Sequence, residues 1–143
     1  VYAFTADCEI GIDIEEVRHT PDVEAIAQHY FCGAEASQLL DIDGEKQRQE
    51  AFFRCWTRKE SYIKAIGEGL SMPLDRFQVT LTSGSPARIV HIANNIDAAA
   101  EWTLRHLEPA PGYLGAVAYR APARKLEWHP PLAAQEFLEF LRL

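Results

Sequence analysis

Residues 10–16 read IGIDIEE, and the side chains of this stretch alternate between apolar and polar or small. Isoleucine stands at positions 10, 12 and 14, glycine and aspartate stand between them, and glutamate follows at positions 15 and 16. Successive side chains of a strand point to opposite faces, so the pattern predicts a strand with one isoleucine face and one polar face. Asp13 and Glu15 then share the polar face, about 7 Å apart along the strand.

The longest predicted helix covers residues 45–66 and ends at Gly67. Glu60 and Lys64 lie four residues apart in it, so both belong to one helix face, and Trp56 precedes them by one turn. Apolar side chains at helical spacing predict the face that is turned to the core. These side chains are Phe52, Cys55, Trp56, Ile63 and Ile66.

The remaining periodicity predicts two shorter helices before this one and mostly strands after it. Helices before antiparallel strands predict an α+β fold of one domain, residues 1–143, with an antiparallel sheet packed against helices. The other predicted elements are helices over 21–30, with Thr20 as N-cap, and over 34–40, strand material over 2–15 with a turn near Asp7, strands over 77–81, 87–92, 101–108 and 113–120, and a short amphipathic helix within 132–143.

Composition narrows the class of partner. The net charge of −7 in 143 residues argues against nucleic acid, because binding a phosphate backbone requires a basic surface. Apolar runs stay shorter than the ~18 residues of a membrane span, so no membrane partner is expected. The first residues include no initiator methionine and do not have the charged-then-apolar layout of a signal peptide. We therefore expect that the chain begins inside a longer protein. Three cysteines, an odd number, predict reduced thiols and a cytoplasmic location, with a catalytic cysteine as the alternative.

Three carboxylates indicate the chemistry of a possible site. Asp13, Glu15 and Glu60 offer only oxygen ligands, which suit Mg²⁺, an ion that commonly shares its coordination with substrate phosphates. The five histidines are scattered without a ligand pattern, which argues against zinc. The residues alone leave another interpretation open, namely a solvated strand face and a surface Glu60–Lys64 pair worth about 0.3–0.5 kcal/mol.

The two segments together resemble a known family. The stretch of residues 11–15, GIDIE, and the stretch of residues 56–65, WTRKESYIKA, are similar to the two motifs of Sfp-type 4′-phosphopantetheinyl transferases. Those motifs read G-(I/V)-D-(I/V)-E and W-(S/T)-x-K-E-(S/A)-x-x-K-A. Residues 30–35, 67–71 and 73–77 also match, in the same order, and the resemblance covers about residues 1–120.

The resemblance implies an activity and roles for the site residues. Such enzymes transfer the 4′-phosphopantetheine arm of coenzyme A to a serine of an acyl or peptidyl carrier protein and release 3′,5′-ADP. By position, Asp13, Glu15 and Glu60 would hold Mg²⁺. Lys64, together with Glu60, would bind the coenzyme, and Lys64 would assist the leaving group. Glu35 matches the residue proposed as general base in some members.

Sfp-type enzymes consist of two similar halves, and this chain resembles the C-terminal, metal-binding half. Most coenzyme A contacts are therefore expected outside it, and the chain alone is not necessarily active. Related AcpS-type enzymes are single halves that trimerise, which suggests self-association through the surface that the other half would cover. The alternatives are a non-catalytic half-domain that binds a carrier protein or partner half, and another Mg²⁺-carboxylate phosphoryl enzyme. Because the chain is acidic overall, carrier docking is expected to use an apolar patch with a few local basic groups, such as Arg54 or Arg58.

Overall fold

The computed structural model describes residues 1–129, 133–140 and 142, and it has the α+β organisation that the sequence predicts. Within the described part of the chain, five strands and five helices follow one another in a mixed order, with two short 3₁₀ turns at 69–71 and 74–76. The strands are β1 (Ile10–Glu16), β2 (Phe77–Val79), β3 (Ile89–Ile92), β4 (Thr103–Leu107) and β5 (Tyr113–Tyr119). The helices are α1 (Val23–Tyr30), α2 (Gly33–Leu40), α3 (Glu45–Ile66), α4 (Ile96–Ala100) and α5 (Ala134–Phe140).

The larger sheet is antiparallel and has the strand order β1-β5-β4, so the strand at its centre comes late in the chain. Asp13 of β1 lies opposite Ala116 of β5, and Gly11 lies opposite Ala118. The smaller sheet pairs β2 with β3, and its register shifts between Gln78 and Val79.

Helix α3 packs across β1 and β5 on the face that carries Gly11 and Asp13. Small residues make this contact close: Ala116 and Ala118 are fully buried, and Gly11 is buried too. A methyl group on Gly11 would lie only 2.2 Å from the carbonyl oxygen of Ser61 in α3. Glycine is therefore required here by the close approach of strand and helix.

The polar face of β1 is thus the inner face, and the main hydrophobic core lies on the same side of the sheet. The isoleucines at positions 10 and 12 face a second, smaller cluster built on Leu107, Val117 and Tyr119. Residues from the N-terminal segment and from the chain after β5, including Ala3 and Leu126, pack against this second cluster. The alternation along β1 was predicted correctly, but its charged side points towards the helix and not simply to solvent.

Most predicted elements are confirmed. Helix α3 has the predicted bounds and ends where Gly67 adopts a left-handed conformation, with φ of 71°. Residues 2–9 form no strand, so the first strand is shorter than predicted. Helix α4 was not predicted; Asn95 is its N-cap, and the side chain of Asn95 accepts a hydrogen bond from the backbone N–H of Ala98. The predicted tail helix is present as α5, although its flanks at 130–132, 141 and 143 lie outside the described residues.

Cys8, Cys32 and Cys55 are all free thiols. Within the described ranges, every helix is too short or too polar to cross a bilayer.

Candidate active site

The centre of the site is an ion pair between β1 and α3. The Lys64 ammonium donates a hydrogen bond to Asp13 Oδ1 at 2.6 Å, across 51 positions of the chain. The Asp13 side chain is 7% exposed, whereas that of Lys64 is 49% exposed. The i,i+4 spacing had suggested a Glu60–Lys64 pair, but the ammonium bonds to the strand carboxylate instead. Strand and helix are thereby joined at the predicted site.

Glu15 and Glu60 lie near the Asp13–Lys64 ion pair, and the pKa values of both carboxyl groups are raised. Burial raises the pKa of Glu60, and the nearby charges of Asp13 and Glu15 raise it further, while Lys64 acts in the opposite direction. Burial likewise raises the pKa of Glu15, with Asp13 as the next cause. The three carboxylates therefore repel one another in a partly dehydrated place, which favours a cation among them.

Two oxygens at this place have no hydrogen-bond partner although they are buried, Asp13 Oδ2 and Glu60 Oε1. Buried polar atoms are almost always paired, so each such oxygen calls for an explanation. Together with Glu15, they form an oxygen-only donor set of the kind that Mg²⁺ prefers. Among the described residues, no three His, Cys, Asp or Glu side chains are already arranged to coordinate a metal ion. The donor chemistry therefore fits a hard cation, and the side chains would have to converge on it.

Glu35 does not belong to this cluster. It is fully buried, and its Oε2 lies 2.8 Å from Lys59 Nζ, which is fully buried as well. The same carboxylate accepts hydrogen bonds from the backbone N–H groups of Cys32 at 3.0 Å and Val79 at 2.6 Å. A general base must reach the proton that it removes. This burial disagrees with the predicted role as base, and it indicates that Glu35 holds α2, α3 and β2 together.

Sequence reasoning assigned no role to Lys59, and the structure gives it one. Besides Glu35, its ammonium donates to the carbonyl oxygens of Leu74 and Phe77 at 2.7 and 2.6 Å. It also lies 4.3 Å from the centre of the Phe77 ring. A signal was present, because position 59 falls within the apolar stripe that contains Cys55 and Ile63. A charge on that stripe implies a buried partner.

The expectation that Arg54 or Arg58 offers a basic surface to a carrier protein is wrong. Both side chains are buried on α3. Arg54 donates to the carbonyl oxygen of Leu81 at 3.3 Å, and Arg58 donates to the carbonyl and hydroxyl oxygens of Thr80. Burial, and then the neighbouring Arg54, lower the pKa of Arg58 to about 10. These guanidinium groups hydrogen-bond to the backbone that follows β2 and hold it against α3. Their charges are not exposed to a partner.

Residues 9–118 match the family model of the 4′-phosphopantetheinyl transferase superfamily. The chain belongs to this superfamily. The match includes both motif segments, the strand with Asp13 and the helix with Glu60 and Lys64. The predicted family is therefore confirmed.

Individual members of the superfamily agree with this assignment. The chain is 37% identical over 110 residues to the 4′-phosphopantetheinyl transferase HetI of Nostoc sp., covering 77% of this chain and 43% of that protein. It is also 37% identical over 113 residues to Sfp of Bacillus subtilis, covering 79% of this chain and 47% of that protein. The chain thus spans less than half the length of these two phosphopantetheinyl transferases.

A solved structure of the superfamily shares the fold. The ACPS–CoA complex of Chronobacterium ammoniagenes superposes on this chain with a TM-score of 0.57 at 14% identity. The match covers 82% of this chain and the whole of that one. This superfamily member thus shares its α+β fold with the ACPS of that complex.

Proposed function

We propose that this superfamily member is the metal- and phosphate-binding half of an enzyme that transfers the 4′-phosphopantetheine arm of coenzyme A to a serine of an apo carrier protein. The other product would be 3′,5′-ADP. The observation that carries this proposal is the pair of buried, unpartnered oxygens of Asp13 and Glu60 beside the Lys64 ammonium. The carboxylates could hold a metal ion and the ammonium could bind a phosphate, and transfer of a phosphate-linked group requires both.

The roles of the residues follow from their positions. Asp13, Glu15 and Glu60 would hold Mg²⁺, which would neutralise charge on the pyrophosphate of coenzyme A. Lys64 is half exposed and long enough to leave Asp13 for a phosphate oxygen, where its charge would stabilise the departing 3′,5′-ADP. We assign no general base to Glu35, because its carboxylate is enclosed and paired with Lys59.

The substrate and partner assignments rest on the superfamily. Coenzyme A is proposed as the donor, in keeping with the ACPS–CoA complex that shares this fold. Because the chain spans less than half of HetI and Sfp, most contacts to the coenzyme are expected outside it. The acceptor is an acyl or peptidyl carrier protein in the cytoplasm. Docking would depend on apolar contacts and local charge, since the net charge of the chain is −7.

The domain assignment also remains a proposal: residues 1–143 would be the C-terminal half of a two-half enzyme. On its own, the chain could then associate with copies of itself through the surface that the other half covers. Light scattering over a concentration series tests this proposal. A mass that rises with concentration supports it, and a constant monomer mass contradicts it.

Mass spectrometry tests the transferase activity directly. The full-length protein, Mg²⁺ and coenzyme A are incubated with several apo carrier proteins, and each carrier is expected to gain the mass of the phosphopantetheine arm. Asp13→Asn should abolish the gain while the protein remains folded. Asp41→Asn, at an exposed site after α2, is the matched control. Absence of transfer to every carrier, or full activity of Asp13→Asn, would contradict the proposal.

A further inference from the structure

The Lys64 ammonium forms an ion pair with Asp13, one of the carboxylates proposed to bind the cation. Its nitrogen lies 2.6 Å from Asp13 Oδ1, a distance typical of a direct charge-assisted hydrogen bond. The other oxygen of the same carboxylate, Oδ2, is buried and has no partner. The lysine therefore neutralises part of the charge that would otherwise attract a metal ion.

A divalent cation and this ammonium repel each other if both stay on Asp13. The Coulomb energy grows with the product of the two charges, so a divalent ion is repelled more strongly than a monovalent ion at the same distance. The site offers three carboxylates, those of Asp13, Glu15 and Glu60. The positive charge of Lys64 offsets one of these three negative charges. In the absence of substrate, a cation therefore binds to the site with lower affinity.

Only one member of the pair is free to move. Asp13 belongs to a strand that is hydrogen-bonded to β5 and pressed against α3 through Gly11. Lys64 is half exposed, and Asp13 is the one hydrogen-bond partner of its ammonium among the described residues. A lysine has a flexible four-carbon stem, so its charge can move several ångströms while the helix backbone stays in place.

We propose that Lys64 is a removable counter-ion: it lowers the affinity of the site for a divalent cation until a phosphate-bearing substrate draws its ammonium away from Asp13. This inference rests on the proposed function and deepens it, because it specifies how the site is regulated. Cation and substrate then strengthen each other's binding, and by thermodynamic linkage the effect is equal in both directions. The site would be loaded with metal mainly when coenzyme A is present.

Binding of Mn²⁺, followed by the electron paramagnetic resonance signal of the free ion, tests this without any assay of activity. Lys64→Met retains most of the length of the side chain and removes its charge. In the absence of coenzyme A, this variant should bind Mn²⁺ about tenfold more tightly than the unaltered protein, since one nearby repulsive charge is gone. Lys46→Met, an exposed lysine at the opposite end of α3, is the matched control and should leave the affinity unchanged.

Coenzyme A then gives a second, independent readout. It should increase the Mn²⁺ affinity of the unaltered protein by a larger factor than that of Lys64→Met, in which no ammonium has to be displaced. Equal or weaker Mn²⁺ binding by a folded Lys64→Met, compared with the unaltered protein, would overturn the counter-ion role and leave the metal site intact. Unchanged binding by Asp13→Asn, or no binding by any of these proteins, would overturn the metal site and the counter-ion role together.

Discussion

Gly11 determines how closely β1 approaches α3, and through that approach it positions Asp13 two residues later. An added Cβ would lie 2.2 Å from Ser61 O, 2.4 Å from Ala65 N and 2.9 Å from the Lys64 carbonyl carbon. All three are backbone atoms, which cannot turn away as a side chain could. The glycine of the GIDIE motif is thus explained by packing beside the site and not by contact with a ligand.

Gly11→Ala is therefore expected to destabilise the protein by about 2 kcal/mol or more, within the upper range of core overpacking. Chemical denaturation measures this as a lower midpoint with an unchanged slope. Gly84→Ala is the control, because its Cβ would meet no atom within 4 Å. A Gly11→Ala variant as stable as the control would show that strand and helix separate easily.

The repulsion among the site carboxylates gives a second prediction at this scale. Glu60→Gln should stabilise the metal-free protein at pH 7, because burial and Asp13 raise the pKa of this carboxyl group in the folded state. A raised folded-state pKa means that the contribution of Glu60 to stability is present below the usual value of 4.5 and is lost as the pH rises through the folded-state value. Partial exposure keeps the gain of the variant below about 1 kcal/mol.

Thermal melts without divalent cations measure this gain. The advantage of Glu60→Gln should be visible at pH 7 and disappear by about pH 4, where Glu60 is protonated in both states. Glu16→Gln, at an exposed position at the end of the same strand, serves as the control. A lower melting temperature for Glu60→Gln at pH 7 would mean that its carboxylate is stabilised by a contact.

At the scale of elements, α3 organises the protein because its different faces serve different purposes. One face presents Glu60 and Lys64 towards β1, where Lys64 reaches Asp13. Another carries Lys59 into a buried network with Glu35 of α2 and the backbone around β2. Adjacent positions in one motif, Lys59 and Glu60, therefore act in different places, one holding elements together and the other belonging to the site.

Lys59→Met is expected to destabilise the protein strongly, by about 3–5 kcal/mol, because it leaves the Glu35 carboxylate buried without a counter-ion. The double variant Glu35→Gln, Lys59→Met should recover part of this loss, since the uncompensated charge is then absent. Urea unfolding of the single and double variants gives both values. Lys46→Met, exposed on the same helix, should change stability by less than about 0.5 kcal/mol. A small effect of Lys59→Met would contradict the role of the pair in joining α2 and α3.

At the scale of the whole molecule, the larger sheet separates two hydrophobic clusters. The main core lies between the sheet and α3, and the smaller cluster on the outer face includes residues from the N-terminal segment and from the chain after β5. Arg124 and Asp7 form a bidentate ion pair that also joins these two segments. The three cysteines lie in different parts of the molecule: Cys8 at the outer cluster, Cys32 at the start of α2 and Cys55 in the main core.

Thiol labelling should follow this order. Burial raises the pKa of Cys55 well above its usual value, and burial followed by Glu35 raises the pKa of Cys32. Because the thiolate is the reactive form, Cys8 should react first with Ellman's reagent at pH 8, Cys32 should react slowly, and Cys55 should react only on unfolding. Mass spectrometry of partially labelled protein assigns the sites. Early labelling of Cys55 in the native protein would contradict the burial described here.

The family, the α+β class, the bounds of α3 and the two motif segments can all be predicted from the sequence, because they depend on local spacing and on an ordered series of motifs. Which distant groups meet is established only by the packing of the folded chain. It placed Lys64 on Asp13, turned the charged face of β1 towards the helix and enclosed Glu35 with Lys59. Helical and strand periodicity states which side chains share a face, but it does not state which element covers that face. The packing of α3 on β1, made possible by Gly11, decided the geometry of the site.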